Sequence, residues 1–318
     1  MERRFLGQTG IPVTALGVGT LTMSPLQRGL SAEEGSRIIL AALEGGVGFV
    51  DTAQSYGSYP HVARALAEWR GPRPTIASKS AARTGPEMTR AVDEALTALG
   101  VGTIDVFCLH AVKDAEDLRQ REGAVEALLT ARAAGKIRAV GASSHWLGAL
   151  RVLADDRRFG VLHPMVNRQG FGIIDGTLDE MVALLARGRA AGQGVYAMKP
   201  MGGGHLRGEA AAALRWVFDQ PVVDAAAVGM TSLDEVAMNL AVARGEPVDP
   251  AFAARVAGQP RRLFINGVIC RRCGRCVEDC PQQALTQVAG EPPRVEAGRC
   301  VLCGYCAPRC PTFAIRVI

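Results

Sequence analysis

The chain has 318 residues, 48% of them hydrophobic and 21% charged, with a formal charge of +5. That composition suits a large domain with a well-filled core plus a small second domain. No Lys/Arg run exceeds two residues, which excludes a nucleic-acid or membrane-surface stripe, and no apolar stretch reaches the length of a membrane span. The opening MERRF is too polar and short to begin a signal peptide, so the cytoplasm is the expected compartment.

Residues 3–14 suggest a short hairpin turning at Gly7–Gly10. Apolar runs then alternate with longer helical stretches. The runs are LGVGT (16–20), GFVDT (48–52), TIASK (75–79), TIDVFCLH (103–110), IRAVGAS (137–143), HPMVN (163–167), GVYAMKP (194–200) and DAAAVGM (224–230). They are continuously hydrophobic, as parallel strands covered on both faces are. The helix expected over 32–45 opens with Ser31 and Glu34, a capping-box pattern, and buries Ile38, Ile39, Ala42 and Leu43 on one face. Eight strand–helix units predict an α/β fold, a (β/α)8 TIM barrel. A doubly wound sheet is the alternative, but Gly17 and Gly19 lie inside a strand and lack the third glycine of a phosphate turn.

Near Glu246–Pro260 the pattern breaks at Pro247, Asp249, Pro250 and Pro260. The expected division is a barrel over 1–245, a helical linker over 246–263, and a small C-terminal α+β domain over 264–318.

That last stretch holds CRRCGRCVEDCPQQAL (270–285) and CVLCGYCAPRCPTFAI (300–315), two copies of one pattern thirty residues apart. Thiolates three residues apart on a tight loop can meet three corners of a small cluster, Gly274 and Gly304 suit the bends, and proline after the last cysteine stops the local helix. In two-cluster ferredoxins the fourth cysteine of each run ligates the other cluster. The expected sets are therefore Cys270, Cys273, Cys276 and Cys310 for one 4Fe–4S centre, and Cys300, Cys303, Cys306 and Cys280 for the second. Zinc is the rival metal, although it rarely needs three close cysteines and a fourth followed by proline, twice. Residues 264–318 resemble bacterial 2×4Fe–4S ferredoxin domains along their whole length. Such clusters relay single electrons, or they staple a segment too small to fold alone.

Catalysis in a barrel is expected at the C-terminal strand ends. DTAQSYG (51–57) ends the second strand, SKS (78–80) the third and LHAV (109–112) the fourth. An acid, a phenol, a lysine and an imidazole from these ends can converge on one carbonyl. Here residues 1–245 resemble the aldo-keto reductase family, whose usual start also matches RFLGQTG (4–10) and LGVGT (16–20). The resemblance implies that Asp51, Tyr56, Lys79 and His110 are catalytic. Tyr56 would exchange a proton with the substrate oxygen, and its ordinary pKa of about 10 is high for that task. Lys79 is expected to lower it, Asp51 to hold Lys79, and His110 to orient the carbonyl. Each residue also has a structural alternative: a buried ion pair, a rim aromatic, a core histidine.

The resemblance implies NADP or NAD as cofactor. Ser143 and Asn167 fall at the carboxamide-binding positions. Gly202, Gly203 and Gly204, with Leu206 and Gly208, form the loop near the pyrophosphate. Gly229, Met230, Thr231, Ser232 and Asn239 fall where the adenosine end lies. Met198 replaces the aromatic that stacks on nicotinamide, and Gly229 and Glu235 replace basic residues used for a 2′-phosphate. Pro60 and His61 break the family's YG-x-x-E continuation.

The function expected first is NAD(P)H-dependent interconversion of a carbonyl and an alcohol, with the dicluster domain relaying single electrons to or from an external redox carrier. A hydride carries two electrons and each cluster one, and no flavin fingerprint is present to mediate. The second expectation is therefore nicotinamide-independent reductive dehydration or deoxygenation of a hydroxylated compound. The third is a non-enzymatic electron carrier. His61, His145, His163 and His205 show no ligand spacing and are expected on the surface or in loops. Trp146 is a candidate for the substrate mouth, and Cys108, alternating with His110, for a buried apolar residue. LTMSPLQRGL (21–30) and RQGFGIID (168–175) are the expected pocket rims.

Overall fold

The computed structural model describes every residue except 281, 301, 303–305 and 308. Eight parallel strands close a barrel: β1 (Leu16–Gly19), β2 (Phe49–Asp51), β3 (Thr75–Ser80), β4 (Ile104–Leu109), β5 (Ile137–Ser144), β6 (Val161–Pro164), β7 (Gly194–Met198) and β8 (Ala225–Gly229), with β8 returning to pair with β1. Among the described residues no helix is long and apolar enough to cross a membrane.

Helices α1 (Ala32–Glu44), α2 (Tyr59–Glu68), α3 (Gly85–Leu99), α4 (Ala115–Gln120), α5 (Glu122–Ala133), α6 (Leu147–Leu153), α7 (Leu178–Ala190), α8 (Ala210–Phe218) and α9 (Leu233–Arg244) surround it. Helix α1 starts at Ser31 with the expected capping box, and its apolar stripe of Ile38, Ile39, Ala42 and Leu43 packs into the shell between strands and helices. Inside the barrel lies a second core of Phe49, Ala77, Val106, Cys108, Ala139, Val161, Tyr196, Ala225 and Ala227. The N-terminal hairpin, Arg3–Phe5 paired with Pro12–Thr14, adds Leu6, Ile11 and Val13 to that core and so closes the bottom of the barrel. Gly17 faces the Phe49 ring, where any Cβ would collide with it. The glycine pair of β1 therefore serves barrel packing.

Strand six runs over 161–164, earlier than the expected 163–167. Pro164 ends it because proline offers no N–H to continue the ladder. The next residues form a turn held by the Asn167 side chain, whose Oδ1 accepts from the Phe171 N–H at 2.9 Å.

Helix α10 (Pro250–Gly258), capped by Asp249, lies in the expected linker. The C-terminal domain then pairs β9 (Leu263–Ile265) with β12 (Ile315–Val317), and β10 (Leu285–Thr286) with β11 (Arg294–Val295), around the short helix α11 (Arg275–Glu278). Side chains alternate along β12 as any strand demands. Ile315 and Val317 enter the small domain's own core with Leu263, Cys276, Leu285 and Cys306. Arg316 points the other way, yet it is only 6% exposed.

The other side is the barrel mouth. Phe313, fully buried, packs with Met165 and Ala307 and against Phe171, Ile173 and Met198. Burying such a ring contributes about 1.5–3 kcal/mol. Gly203 and Gly204, both at positive φ, let the β7 loop pass beneath it: a Cβ on Gly203 would meet Phe313 and Arg316, and one on Gly204 would strike the Val317 carbonyl. Gly204→Ala should therefore cost about 1–3 kcal/mol in backbone strain alone and loosen this contact. The expected result is faster amide exchange across 313–318 and easier cleavage within 246–262, with the barrel's circular dichroism unchanged. Exchange as slow as in the parent would refute this account of the junction.

Candidate active site and cysteine centre

Asp51 ends β2 and Lys79 lies one residue before the end of β3, both facing inward on the row above Phe49 and Ala77. Lys79 Nζ donates to both Asp51 oxygens, at 2.7 and 2.8 Å, and to the Thr52 carbonyl at 2.8 Å. Both side chains are almost wholly buried. Burial works against the ammonium, but the Asp51 carboxylate outweighs it and holds the Lys79 pKa above its ordinary value. For Asp51, burial pushes upward and Lys79 pulls down. Three hydrogen bonds to one carboxylate, two from Lys79 Nζ and one from the Tyr196 hydroxyl at 3.2 Å, favour the ionised pair.

Tyr56 sits on the loop after β2, half-buried, with Lys79 Nζ 5.0 Å from its ring centroid. Its pKa is raised: burial exceeds the opposing pull of Lys79. Lys79 does pull the value down, as expected, but burial of the phenol outweighs it and the net shift is upward. His110 follows β4 and meets the Tyr56 ring edge-on, centroids 6.1 Å apart. Burial, with Lys79 and Lys199 nearby, drives its pKa down to about 3, so it is neutral near pH 7. Buried Arg121 braces this end by donating to the His110 carbonyl at 3.0 Å.

In the small domain Cys270, Cys273, Cys276 and Cys310 line one cavity with Ile265, Gly274 and Pro311. The Cys276 thiol is pushed up to about 11 by burial and then by Cys310, Cys270 and Cys273. Four sulfurs sharing one cavity offer the donor set of a cationic metal centre, which would favour the thiolate of Cys276. The two repeats match in detail: the Ala284 N–H donates to Cys280 Sγ at 3.3 Å and the Ala314 N–H to Cys310 Sγ at 3.1 Å. Of the other set, Cys306 is buried and Cys280 and Cys300 are half-buried beside it, while Cys303 lies outside the described residues.

The aldo/keto reductase family model matches residues 15–211, well over half of the chain. The chain belongs to the aldo/keto reductase family. Residues 262–311 match a 4Fe–4S dicluster domain. An aldo-keto reductase of Mycobacterium avium is 31% identical over 138 residues, 42% of this chain and 44% of that protein. This chain thus spans less than half of that relative's length. L-galactose dehydrogenase of Arabidopsis thaliana is 23% identical over 217 residues, 65% of this chain and 67% of the relative. Among solved structures, an aldo-keto reductase of Bacillus halodurans superposes with TM-score 0.65 at 20% identity, covering 81% of this chain and 95% of its own. The last likeness concerns the fold.

For an aldo/keto reductase barrel, the residues expected around a nicotinamide are otherwise engaged. Ser143 is fully buried and accepts from the Ala111 N–H at 2.9 Å. Asn167, also buried, spends its amide on its own turn, donating to the Phe171 carbonyl and accepting from the Gln169 and Phe171 N–H groups. Met198 packs on Phe313, and the 202–204 loop lies under β12. At the adenosine end, Glu235 takes the Thr231 N–H at 2.6 Å and its hydroxyl at 3.0 Å, and pairs with Arg261 of the linker at 2.5 Å. Ser232 Oγ accepts from Gln259, Met230 and Asn239 are buried, and Gly229 abuts the Thr22 side chain. Glu235, read in the sequence as replacing a basic partner of a 2′-phosphate, is thus committed to its own loop and to the linker. These residues do not fit a nicotinamide dinucleotide in this arrangement.

Sequence reasoning missed several members of the site. Tyr196, inside β7, bonds Asp51 and stacks on His163, centroids 3.9 Å apart. Cys108, fully buried as expected, has its sulfur 3.5 Å from the Tyr196 hydroxyl. The histidines need correction: His61 and His163 are 4% and 2% exposed. His61 Nε2 bonds the Leu30 carbonyl and His163 Nδ1 the Tyr196 carbonyl, so each ring has one partner inside the fold, while His61 Nδ1 has none among the described residues. His145 and His205 do lie in loops, but both are half-buried at the mouth, and His145 stacks on Trp146. The period-two alternation of β7 carried the signal for Tyr196.

Burial drives His145 and His163 well below the ordinary histidine value, and His205 down to about 4. Together with His110 they fold neutral and charge on unfolding below about pH 6.5. Stability should be fully expressed above that pH and fall as pH drops toward 4, with unfolding at pH 5 taking up about four protons. Denaturant titrations of the anaerobic protein between pH 5 and 7 check this; uptake below two protons would contradict it.

Proposed function

We propose that the protein is an iron–sulfur-dependent oxidoreductase, acting on a small carbonyl or hydroxylated compound at the barrel mouth, with single electrons entering through the dicluster domain. The observation that carries this reading is the docking of β12: Phe313 and Arg316 fill the mouth beside Met198 and the 202–204 loop, where a nicotinamide was expected. The clusters, when bound, supply electrons one at a time. Cys270, Cys273, Cys276 and Cys310 are the set proposed for the centre nearer the barrel, since Cys310 is three residues from Phe313 and its field reaches Arg316. Cys280, Cys300, Cys303 and Cys306 are the set proposed for the second. An external one-electron carrier of negative potential is the fitting partner.

The barrel residues would manage protons and orientation. Reduction of a carbonyl consumes two electrons and two protons and yields an alcohol; removal of a hydroxyl consumes the same and yields water. In either case the phenol of Tyr56 is the proposed proton donor to the substrate oxygen. Its raised pKa keeps it protonated at neutral pH, as a donor must be. Lys79, held charged by Asp51, favours the phenolate left behind. Neutral His110 can donate a hydrogen bond to the same oxygen without placing a second cation there. NAD(P)H-dependent carbonyl reduction, the activity that family membership alone suggests, would need the linker and β12 to leave their present seats.

An anaerobic titration of the iron-loaded protein separates the two. NADH and NADPH should neither bleach the clusters nor quench Trp146 fluorescence, whereas dithionite should bleach them fully. Substrate should then reoxidise the reduced clusters, and Tyr56→Phe should slow that step by about 100- to 10,000-fold with the cluster spectrum unchanged. Bleaching by either nicotinamide would overturn the reading.

A further inference from the structure

At the mouth two cations stand without a carboxylate. Arg316 is 6% exposed, and the hydrogen bond its guanidinium makes is to the neighbouring Ile315 carbonyl at 3.0 Å. Its face lies on the Phe313 ring, 4.2 Å from the centroid. Lys199 follows β7 at φ 54, a conformation rare for a residue with a side chain, and its Nζ lies 3.0 Å from His145 Nε2 and 5.2 Å from the Phe313 centroid. Among the described residues neither cation has an acidic partner within 4 Å. The mouth's buried carboxylate, Asp51, is committed to Lys79.

Holding a buried guanidinium and a half-buried ammonium against one ring without counter-charge is costly. The cost shows in their titration: burial, then the Arg316 charge, then Lys79, hold Lys199 well below its ordinary value, and burial brings Arg316 down to about 10. Strained backbone and unpaired charge beside the strand ends mark a place prepared for a ligand. Half-buried Tyr56, His110, His145, Trp146, Met198 and Phe171 surround it. Arg316 and Tyr56 act on each other electrostatically, so the cations lie within range of the phenol.

We propose that the substrate is an anion, its carboxylate or phosphate held between Arg316 and Lys199 while its carbonyl or hydroxyl lies at Tyr56 and His110. This rests on the reading of Tyr56 and His110 given above. A planar guanidinium grips either group through two parallel hydrogen bonds, and the ammonium adds a third. Arg316 thereby makes the small domain part of the substrate site: substrate would bind only when β12 is docked. Lys199 faces His145, Arg316 and Lys79; an arriving anion offsets the two cations and returns the Lys199 pKa toward its ordinary value. Anion binding should therefore be accompanied by proton uptake over the pH range in which Lys199 titrates.

Isothermal titration of the full, cluster-loaded chain under argon tests this with three probes: oxalate, inorganic phosphate and neutral oxamide. One anion per chain should bind, with heat that depends on the buffer's ionisation enthalpy, and oxamide should not. Oxalate alone binding would indicate a carboxylic acid substrate, phosphate alone a phosphate ester. Arg316→Gln and Lys199→Met should each weaken binding at least tenfold; the lysine variant leaves β12 untouched and guards against misfolding in the other. No anion binding, or equal binding in both variants, overturns the proposal. So does an Arg316→Gln protein whose cluster potential shifts while its anion binding stays, for then the guanidinium serves the cluster alone. Because the readout is equilibrium binding of a non-reacting anion, it stands apart from the electron-source test, which reads cluster bleaching.

Discussion

The two faces of β12 set most of what is particular to this molecule. Three residues long, the strand must satisfy two cores at once: Ile315 and Val317 belong to the cysteine domain, while Arg316 and, at the strand's approach, Phe313 belong to the barrel. Period-two alternation makes this division automatic once the strand pairs with β9. A slip of one residue would bury Arg316 among the sulfurs and expose Ile315 and Val317 to the mouth, so register here fixes the geometry between domains. The glycines at 203 and 204 are the complementary half of the constraint, since side chains there would hold the strand away.

A second constraint lies below it. The Lys79–Asp51 pair is buried beneath the mouth, and such a pair repays its desolvation only when every lone pair and proton is used. Here the ammonium has three acceptor atoms, and the carboxylate also receives the Tyr196 hydroxyl. Cations nearby and the scarcity of water keep His110, His145 and His163 neutral. The result is a floor with fixed charge under a rim rich in neutral imidazoles. A neutral imidazole and a protonated phenol can each donate a hydrogen bond to an oxygen atom, so both stay available to a substrate.

Strand order and the positions of Asp51, Tyr56, Lys79 and His110 were legible because they ride on hydrophobic runs whose ends local chemistry marks. Strand six was placed late because Met165 and Val166 continue its apolar run after Pro164 has ended the ladder. The buried histidines were illegible for a different reason: His163 is polar by type, and only the stacking of Tyr196 and the bond to its carbonyl make burial affordable. Arg316 reads in sequence as the exposed residue of an alternating strand. Its burial depends on a surface 100 residues away in the chain, which no local pattern encodes. Likewise Glu235 reads as an ordinary first-turn acid of α9, whereas its partners Thr231 and Arg261 close the loop that precedes the helix.

These closures bear on why a one-electron domain adjoins a barrel of this family. Thr231 gives its N–H to Glu235 of α9, which in turn pairs with Arg261 of the linker. Gln259 adds a bond to Ser232, so the linker is tied to the loop after β8 at two points. Releasing the linker also releases β9 and hence β12, because they are continuous in chain and sheet. On the reading proposed above, a dinucleotide at that loop and docking of the small domain would be coupled with opposite sign. With the domain docked, the barrel keeps its proton-handling residues and acquires Arg316, while the cysteine cavity lies a few residues behind Phe313. The contacts that seat β12 at the mouth also bring the cysteine domain within reach of Tyr56, and one strand accounts for both.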